Sequence, residues 1–151
     1  MFPSVEWFRS LAAAMDAAPE RYRKLGPVDV TLVPRIAMPD GTVRTFLLVF
    51  QGFRCVAVDE VATAGAECGP HPIALEGDFA AWREMIENIR AHGAADLDHT
   101  LNFLTLPDWP LKIVPLDEAG GQLDADRFYR YIESLQAFFN EAASVDTRMA
   151  A

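Results

Sequence analysis

Hydrophobic residues near the start of the chain recur with a helical period. Val5, Phe8, Ala12 and Met15 share one face, Trp7, Leu11 and Ala14 lie beside them, and the Ser4 hydroxyl can cap the run. A first helix is therefore predicted from Ser4 to about Ala18. Pro19-Glu-Arg-Tyr-Arg-Lys predicts a second, short helix closed by Gly26, after which Pro27 imposes extended backbone. The period then falls to two. Val28, Val30 and Leu32 alternate with Asp29 and Thr31, the pattern of a half-buried strand. Met38-Pro-Asp-Gly41 supplies a turn, and the run from Val43 to Phe50 is apolar on both faces, as a central strand requires. Gln51-Gly52 turns the chain into a third strand, Phe53 to Val58. Strands joined by turns this short imply an antiparallel meander, because parallel neighbours need a dozen or more linking residues.

Residues 59–70 read as an irregular loop, followed by a short strand from Ile73 to Glu76. Asp78 caps a helix from Phe79 to His92 that Gly93 ends, with Phe79, Trp82, Met85, Ile86 and Ile89 on its inner stripe. Asp96 is expected to cap a short helix through Leu104, ended by Pro107, and residues 110–116 form the last strand. After Gly120-Gly121, Asp124 is expected to cap a long helix to about Ala143, striped by Phe128, Ile132, Leu135 and Phe139 and widened by Tyr131 and Phe138. The chain is expected to fray after Val145, giving one domain over residues 1–145 and a tail over 146–151. Strands grouped between helices predict an α+β fold whose sheet is covered mainly on one face.

Composition narrows the function. No apolar run is long enough to span a bilayer, and Met1-Phe-Pro-Ser-Val-Glu-Trp7 lacks the basic and apolar regions of a secretory signal, so the expected compartment is the cytoplasm. A net charge of −9 argues against nucleic acid and anionic membrane surfaces as partners. The one basic cluster, Arg21, Arg23 and Lys24, suits a helix C-terminus. Cys55 and Cys68 are too few for a disulfide scaffold, and Cys55 sits in an apolar strand as a small buried hydrophobe.

Catalytic signatures are missing: no glycine-rich phosphate loop, no Gly-x-Ser-x-Gly elbow, no His-Glu-x-x-His helix. His71, His92 and His99 lie in separate segments. Cys68-Gly-Pro-His71 has no second Cys/His pair to complete a zinc site, so no metal is expected. Asp96, Asp98 and His99 cluster beside the apolar connector Leu101 to Leu106. They carry an alternative reading, a small enzyme on a lipid-like or steroid-like substrate with Asp98 or His99 as base. No nucleophile or cofactor motif accompanies them, and no catalytic residue is assigned.

The apolar residues exceed what two helices need to dock on a sheet. The connector Leu101-Asn-Phe-Leu-Thr-Leu adds a third apolar element, and mostly apolar cavities are common ligand sites. The expected lining is Phe79, Trp82, Met85 and Ile86 from one helix, Leu101 and Leu104 from the connector, and Phe128, Ile132 and Leu135 from the last helix. A third reading is an interaction module whose apolar surface is covered by another copy, as in a homodimer, or by another chain.

Several stretches carry a family resemblance: Glu6-Trp7-Phe8 in the first helix, the strands of 28–58, Ile73-Ala-Leu-Glu-Gly-Asp-Phe-Ala-Ala-Trp82, Leu111-Lys-Ile-Val114, and the closing helix. In pattern and order the chain resembles the sterol carrier protein 2 (SCP2-like) family of lipid-binding domains over nearly its whole length. The resemblance implies an α+β fold with a five-stranded mixed, largely antiparallel sheet, helices over it, and an apolar tunnel between. It implies a sterol, fatty acid or acyl chain as ligand, held without covalent chemistry, metal or organic cofactor. The expectation is a binding or carrier protein for an apolar small molecule, not an enzyme, with no nucleic-acid partner and no stable membrane insertion.

Overall fold

In a computed structural model, which describes residues 1–62, 69–116 and 121–150, the Ser4 hydroxyl accepts the Trp7 amide hydrogen bond at 3.0 Å and opens α1 (Val5–Asp16). Trp7, Phe8, Leu11 and Met15 are its buried face. The helix stops short of Ala18 because Pro19, first residue of α2 (Pro19–Leu25), disfavours helical backbone before it. Gly26 leaves α2 at φ 95°, a conformation that favours glycine.

Five strands follow in one mixed sheet of order β3-β2-β1-β4-β5: β1 (Val28–Ala37), β2 (Val43–Gly52), β3 (Arg54–Val61), β4 (Pro72–Asp78) and β5 (Lys112–Pro115). The expected antiparallel meander is β1-β2-β3, and β4 then joins the free side of β1 in parallel. The first strand runs past Leu32 despite Pro34. Pairing to β2 passes from Leu32↔Leu48 to Arg35↔Thr45, because proline offers no N–H to the ladder. Parallel pairing to β4 carries β1 on to Ala37.

One face of this sheet presents Val28, Val30, Leu32, Ile36, Phe46, Leu48, Phe50, Ile73 and Leu75 to a continuous apolar layer. Over it lie α1, α3 (Phe79–His92), the short α4 (Leu101–Leu104), α5 (Gly121–Arg130) and α6 (Ile132–Asn140). The α3 boundaries match expectation: the Asp78 carboxylate accepts from the Ala81 amide at 2.8 Å, and Gly93 ends the helix at φ 84°. Burial pushes the Cys55 thiol up to about 12, consistent with a strand hydrophobe.

Three expectations are corrected. The connector is not one helix capped by Asp96: a 3₁₀ turn (Leu97–His99) gives way at Thr100, whose hydroxyl caps α4 through the Phe103 amide at 3.2 Å. The closing helix is two: α5 starts at Gly121, placing Asp124 inside it, and Tyr131 (φ −99°, ψ 6°) breaks it from α6. Residues 146–150 do not fray. Phe2 bridges Met149, its amide donates to the Arg148 carbonyl at 2.7 Å, and the Ala150 amide donates to the Phe2 carbonyl at 2.8 Å. Phe2 and Trp7 are the reason, two large rings that stay buried with this segment against them, the Trp7 indole donating to Thr147 Oγ1 at 2.8 Å. Cys68 and the glycine at 120 lie outside the described residues.

Candidate functional site

The side chains expected to line a cavity do converge. Phe79, Trp82, Met85 and Ile86 descend from α3, Leu101 and Leu104 from α4, Phe128 from α5 and Leu135 from α6, all buried in one layer against the sheet, with Ile132 half-buried at its margin. Convergence is produced by period on α3, and by the Gly77–Asp78 strand end that starts that helix directly over β1.

The layer is closed by rings. Trp82 lies 5.8 Å from Phe139, Phe138 meets Phe50 edge-on at 5.0 Å, and Phe79 stacks on Phe2 at 6.1 Å. The Phe138–Phe50 pair adds to area burial because its edge-to-face geometry satisfies both ring quadrupoles. Three hollows among the described residues open elsewhere. One of about 240 Å³ lies between α3 and the connector, walled by Ala81, Glu84, Asp98, His99, Leu104, Trp109 and Pro110. One of about 300 Å³ lies beside the end of β4, walled by Arg35, Ala37, Val43, Glu76, Gly77, Pro110 and Lys112. One of about 400 Å³ lies between α1, α2 and the β2–β3 turn, around Asp16 and Arg54. Of the expected lining, only Leu104 reaches a wall of any of these.

Trp82 is the polar exception in the layer. It is 0% exposed, and its indole N–H has no hydrogen-bond partner among the described residues. It sits 3.3 Å from the point where a Cβ on Gly77 would stand, a point crowded by the Leu111 Cδ2 methyl at 2.5 Å and the Pro110 carbonyl oxygen at 3.3 Å.

The connector is held by polar side chains of α6. The Leu101 amide donates to Gln136 Oε1 at 2.6 Å, the Ala95 amide donates to Asn140 Oδ1 at 3.2 Å, and Gln136 Nε2 donates to the same Asn140 oxygen at 2.9 Å. These amides satisfy backbone donors that the broken helix leaves free. Sequence reading overlooked them, although a Gln and an Asn four apart beside the apolar stripe of that helix were a visible signal.

Asp96, not Asp98, orients His99: its Oδ1 lies 2.5 Å from Nδ1, and Glu84 Oε1 on α3 lies 3.1 Å from Nε2. The other histidines have other partners. His92 Nδ1 contacts the Asn88 carbonyl at 3.0 Å, and His71 lies 3.8 Å from Asp29. The hydrogen bond to Asp96, then that to Glu84, raises the His99 pKa against modest burial, and Asp96 is lowered in turn. Imidazolium is the form that both carboxylates hold. The bridge from connector to α3 is thus complete below the ordinary imidazole range and is lost as pH rises through the raised folded value. An NMR titration is expected to place the His99 ring midpoint above that of an unstructured histidine, and His99→Gln to abolish this step in the pH dependence of stability. A midpoint at or below the ordinary value would sink the bridge.

No protein-family model and no curated protein matches the chain. Among solved structures, sterol carrier protein 2 aligns with a TM-score of 0.68 at 14% identity, covering 97% of this chain and 100% of that one. A conserved hypothetical protein from Thermus thermophilus, described as possibly a sterol carrier protein, aligns with a TM-score of 0.60 at 16% identity, covering 97% and 93%. At these identities the likeness shows a shared fold.

Proposed function

From the fold it shares with sterol carrier protein 2, we propose that the chain binds and carries an apolar small molecule, a sterol, fatty acid or acyl chain, between its sheet and helices without covalent chemistry. The observation that carries the reading is one continuous apolar layer whose helical cover includes one lightly built part. That part is a single helical turn and its flanks, tied to α6 mainly through two side-chain amides. Among the described residues no helix is long and apolar enough to cross a membrane. The expected setting is the cytoplasm, and the expected partner is a small molecule and not a nucleic acid.

With the layer closed by its own rings, a guest must displace side chains as it enters. Met85 and Leu104 are suited to this, one unbranched and soft, the other at the wall of a hollow. Each Å² of apolar guest surface withdrawn from water contributes about 25 cal/mol before association costs. Phe79, Trp82, Met85, Ile86, Leu101, Leu104, Phe128, Ile132 and Leu135 are the residues the guest touches in this reading.

The catalytic alternative has less support. His99 is held as a proton carrier by two carboxylates, and the walls of its hollow carry no Ser, Thr, Cys or Lys as nucleophile. The carrier reading is tested by titrating purified protein with fluorescent fatty-acid and sterol probes and by mass spectrometry of co-purifying lipid. Saturable one-to-one binding is expected; its absence for all of these probes refutes the proposal.

A further inference from the structure

The unpartnered Trp82 indole stands where an internal ligand would need a polar contact. Burying an N–H with no acceptor costs free energy, and phenylalanine would have supplied an aromatic ring, though a smaller one, without that group. Among the described residues the donor has no acceptor: the atom nearest the point a Gly77 Cβ would take is a Leu111 methyl, and the Pro110 carbonyl oxygen and the indole nitrogen each lie 3.3 Å from that point. Gly77 keeps this spot free of a side chain of its own, so the notch is filled only by the tip of Leu111.

Two hollows flank the same place. Pro110 lines both the hollow over Ala81 and Leu104 and the one over Gly77, so the Pro110–Leu111 segment separates them like a bar above Trp82. Leu111 is fully buried, while Trp109 and Leu106 just before it are exposed, and the Leu111 amide reaches only back within the connector, to the Leu104 carbonyl at 3.1 Å.

We propose that Trp82 is the polar anchor of the site and that Leu111 is its stopper. A guest lifts Leu111 from the Gly77 notch and places an acceptor oxygen on the Trp82 indole N–H, its hydrocarbon body lying along the layer beneath α3 and α4. This rests on the carrier reading and sharpens it. The preferred ligand is an apolar molecule with an oxygen-bearing end, and bare hydrocarbon is discriminated against. The rim over Gly77 also presents Lys112 and Arg35; among the described residues the Arg35 Nε is buried without a partner, while its Nη1 is paired with Glu76 at 2.6 Å, so two cations face one protein carboxylate there.

The test compares lauric acid, methyl laurate and dodecane, delivered from cyclodextrin, on the wild-type chain and on Trp82→Phe. Wild type is expected to bind the two oxygenated probes about tenfold more tightly than dodecane, the equivalent of one charge-free hydrogen bond withheld from water. Trp82→Phe, which keeps an aromatic ring and loses the donor, is expected to bind all three alike; the smaller ring leaves space in the core, so its stability is measured separately by urea denaturation. Nitrogen-15 spectra supply a readout independent of any variant: the Trp82 indole signal is expected to shift downfield with lauric acid or methyl laurate and not with dodecane. Equal binding of the three probes by wild type, or an unmoved Trp82 signal under saturating lauric acid, overturns the anchor and leaves the carrier reading standing. Binding of none of them overturns both.

Discussion

Phe138→Ala is expected to cost about 3–5 kcal/mol of folding stability and to convert the sealed apolar layer into one with a permanent void. Phe138 is fully buried, meets the Phe50 ring on the sheet at 5.0 Å and the Phe139 ring at 5.5 Å, and so joins α6 to the centre of the sheet. Truncation loses the transfer free energy of the ring and leaves its neighbours facing empty space. The Phe50 and Phe139 rings border the space that the side chain would vacate, and the cost within the range depends on how far they relax into it. A dry void bounded by carbon is also a binding site for small apolar molecules. The variant is therefore expected to regain part of its lost stability when a fatty-acid probe is added, more than wild type gains. Urea denaturation with and without lauric acid reads both effects through the midpoint at constant slope. A loss below about 1 kcal/mol would mean that the ring is not part of a tightly filled core. A normal loss with no ligand recovery would mean that this end of the layer lies outside the path of the guest.

The same rings explain how far the sequence could be read. Apolar period identifies α1, α3 and the strands because a residue facing a sheet must repeat with the geometry of its own element. It cannot tell a filled layer from a lined cavity. Trp82, Phe128 and Leu135 show the same spacing whether their tips touch one another or a guest, so convergence was legible and closure was not. Breaks between elements were also hidden. Tyr131 lies in a run with no Gly or Pro, and the break there lets α5 pack on β5 while α6 packs on α3, a tertiary demand with no local signal. The tail was misjudged for a related reason. Asp146-Thr-Arg148 is polar and short, and only the folded positions of Phe2 and Trp7 show why it should be ordered. Arg21, read as a charge at a helix end, has a partner distant in sequence, and the pattern of local residues could not point to it.

That partner carries the second large effect. Glu141→Ala is expected to destabilise the protein by about 2–3 kcal/mol, and the size follows from which of its two contacts is buried. The Glu141 carboxylate accepts from Arg21 Nη1 at 2.5 Å and from the Tyr22 hydroxyl at 2.9 Å, clamping α2 onto the turn that follows α6. The Arg21 side chain is 57% exposed, so on losing its partner it returns to water and contributes about 0–1 kcal/mol. Tyr22 is only 1% exposed and cannot do so; its hydroxyl is left without an acceptor, which costs about 1–3 kcal/mol. Burial, then the negative charge of Glu141, holds the Tyr22 pKa well above the usual phenol range, so the hydroxyl remains a donor throughout the range in which the protein is handled. Glu141→Gln retains an oxygen acceptor for that hydroxyl and is expected to lose less than about 1 kcal/mol. Tyr22→Phe removes the donor itself, leaves the Arg21 pair intact, and is expected to lie near ~1 kcal/mol. The order Glu141→Ala, then Tyr22→Phe, then Arg21→Ala, measured by urea midpoint at one pH, assigns the clamp to the buried phenol. If Arg21→Ala proved as damaging as Glu141→Ala, the ion pair and not the phenol would be what fastens α2.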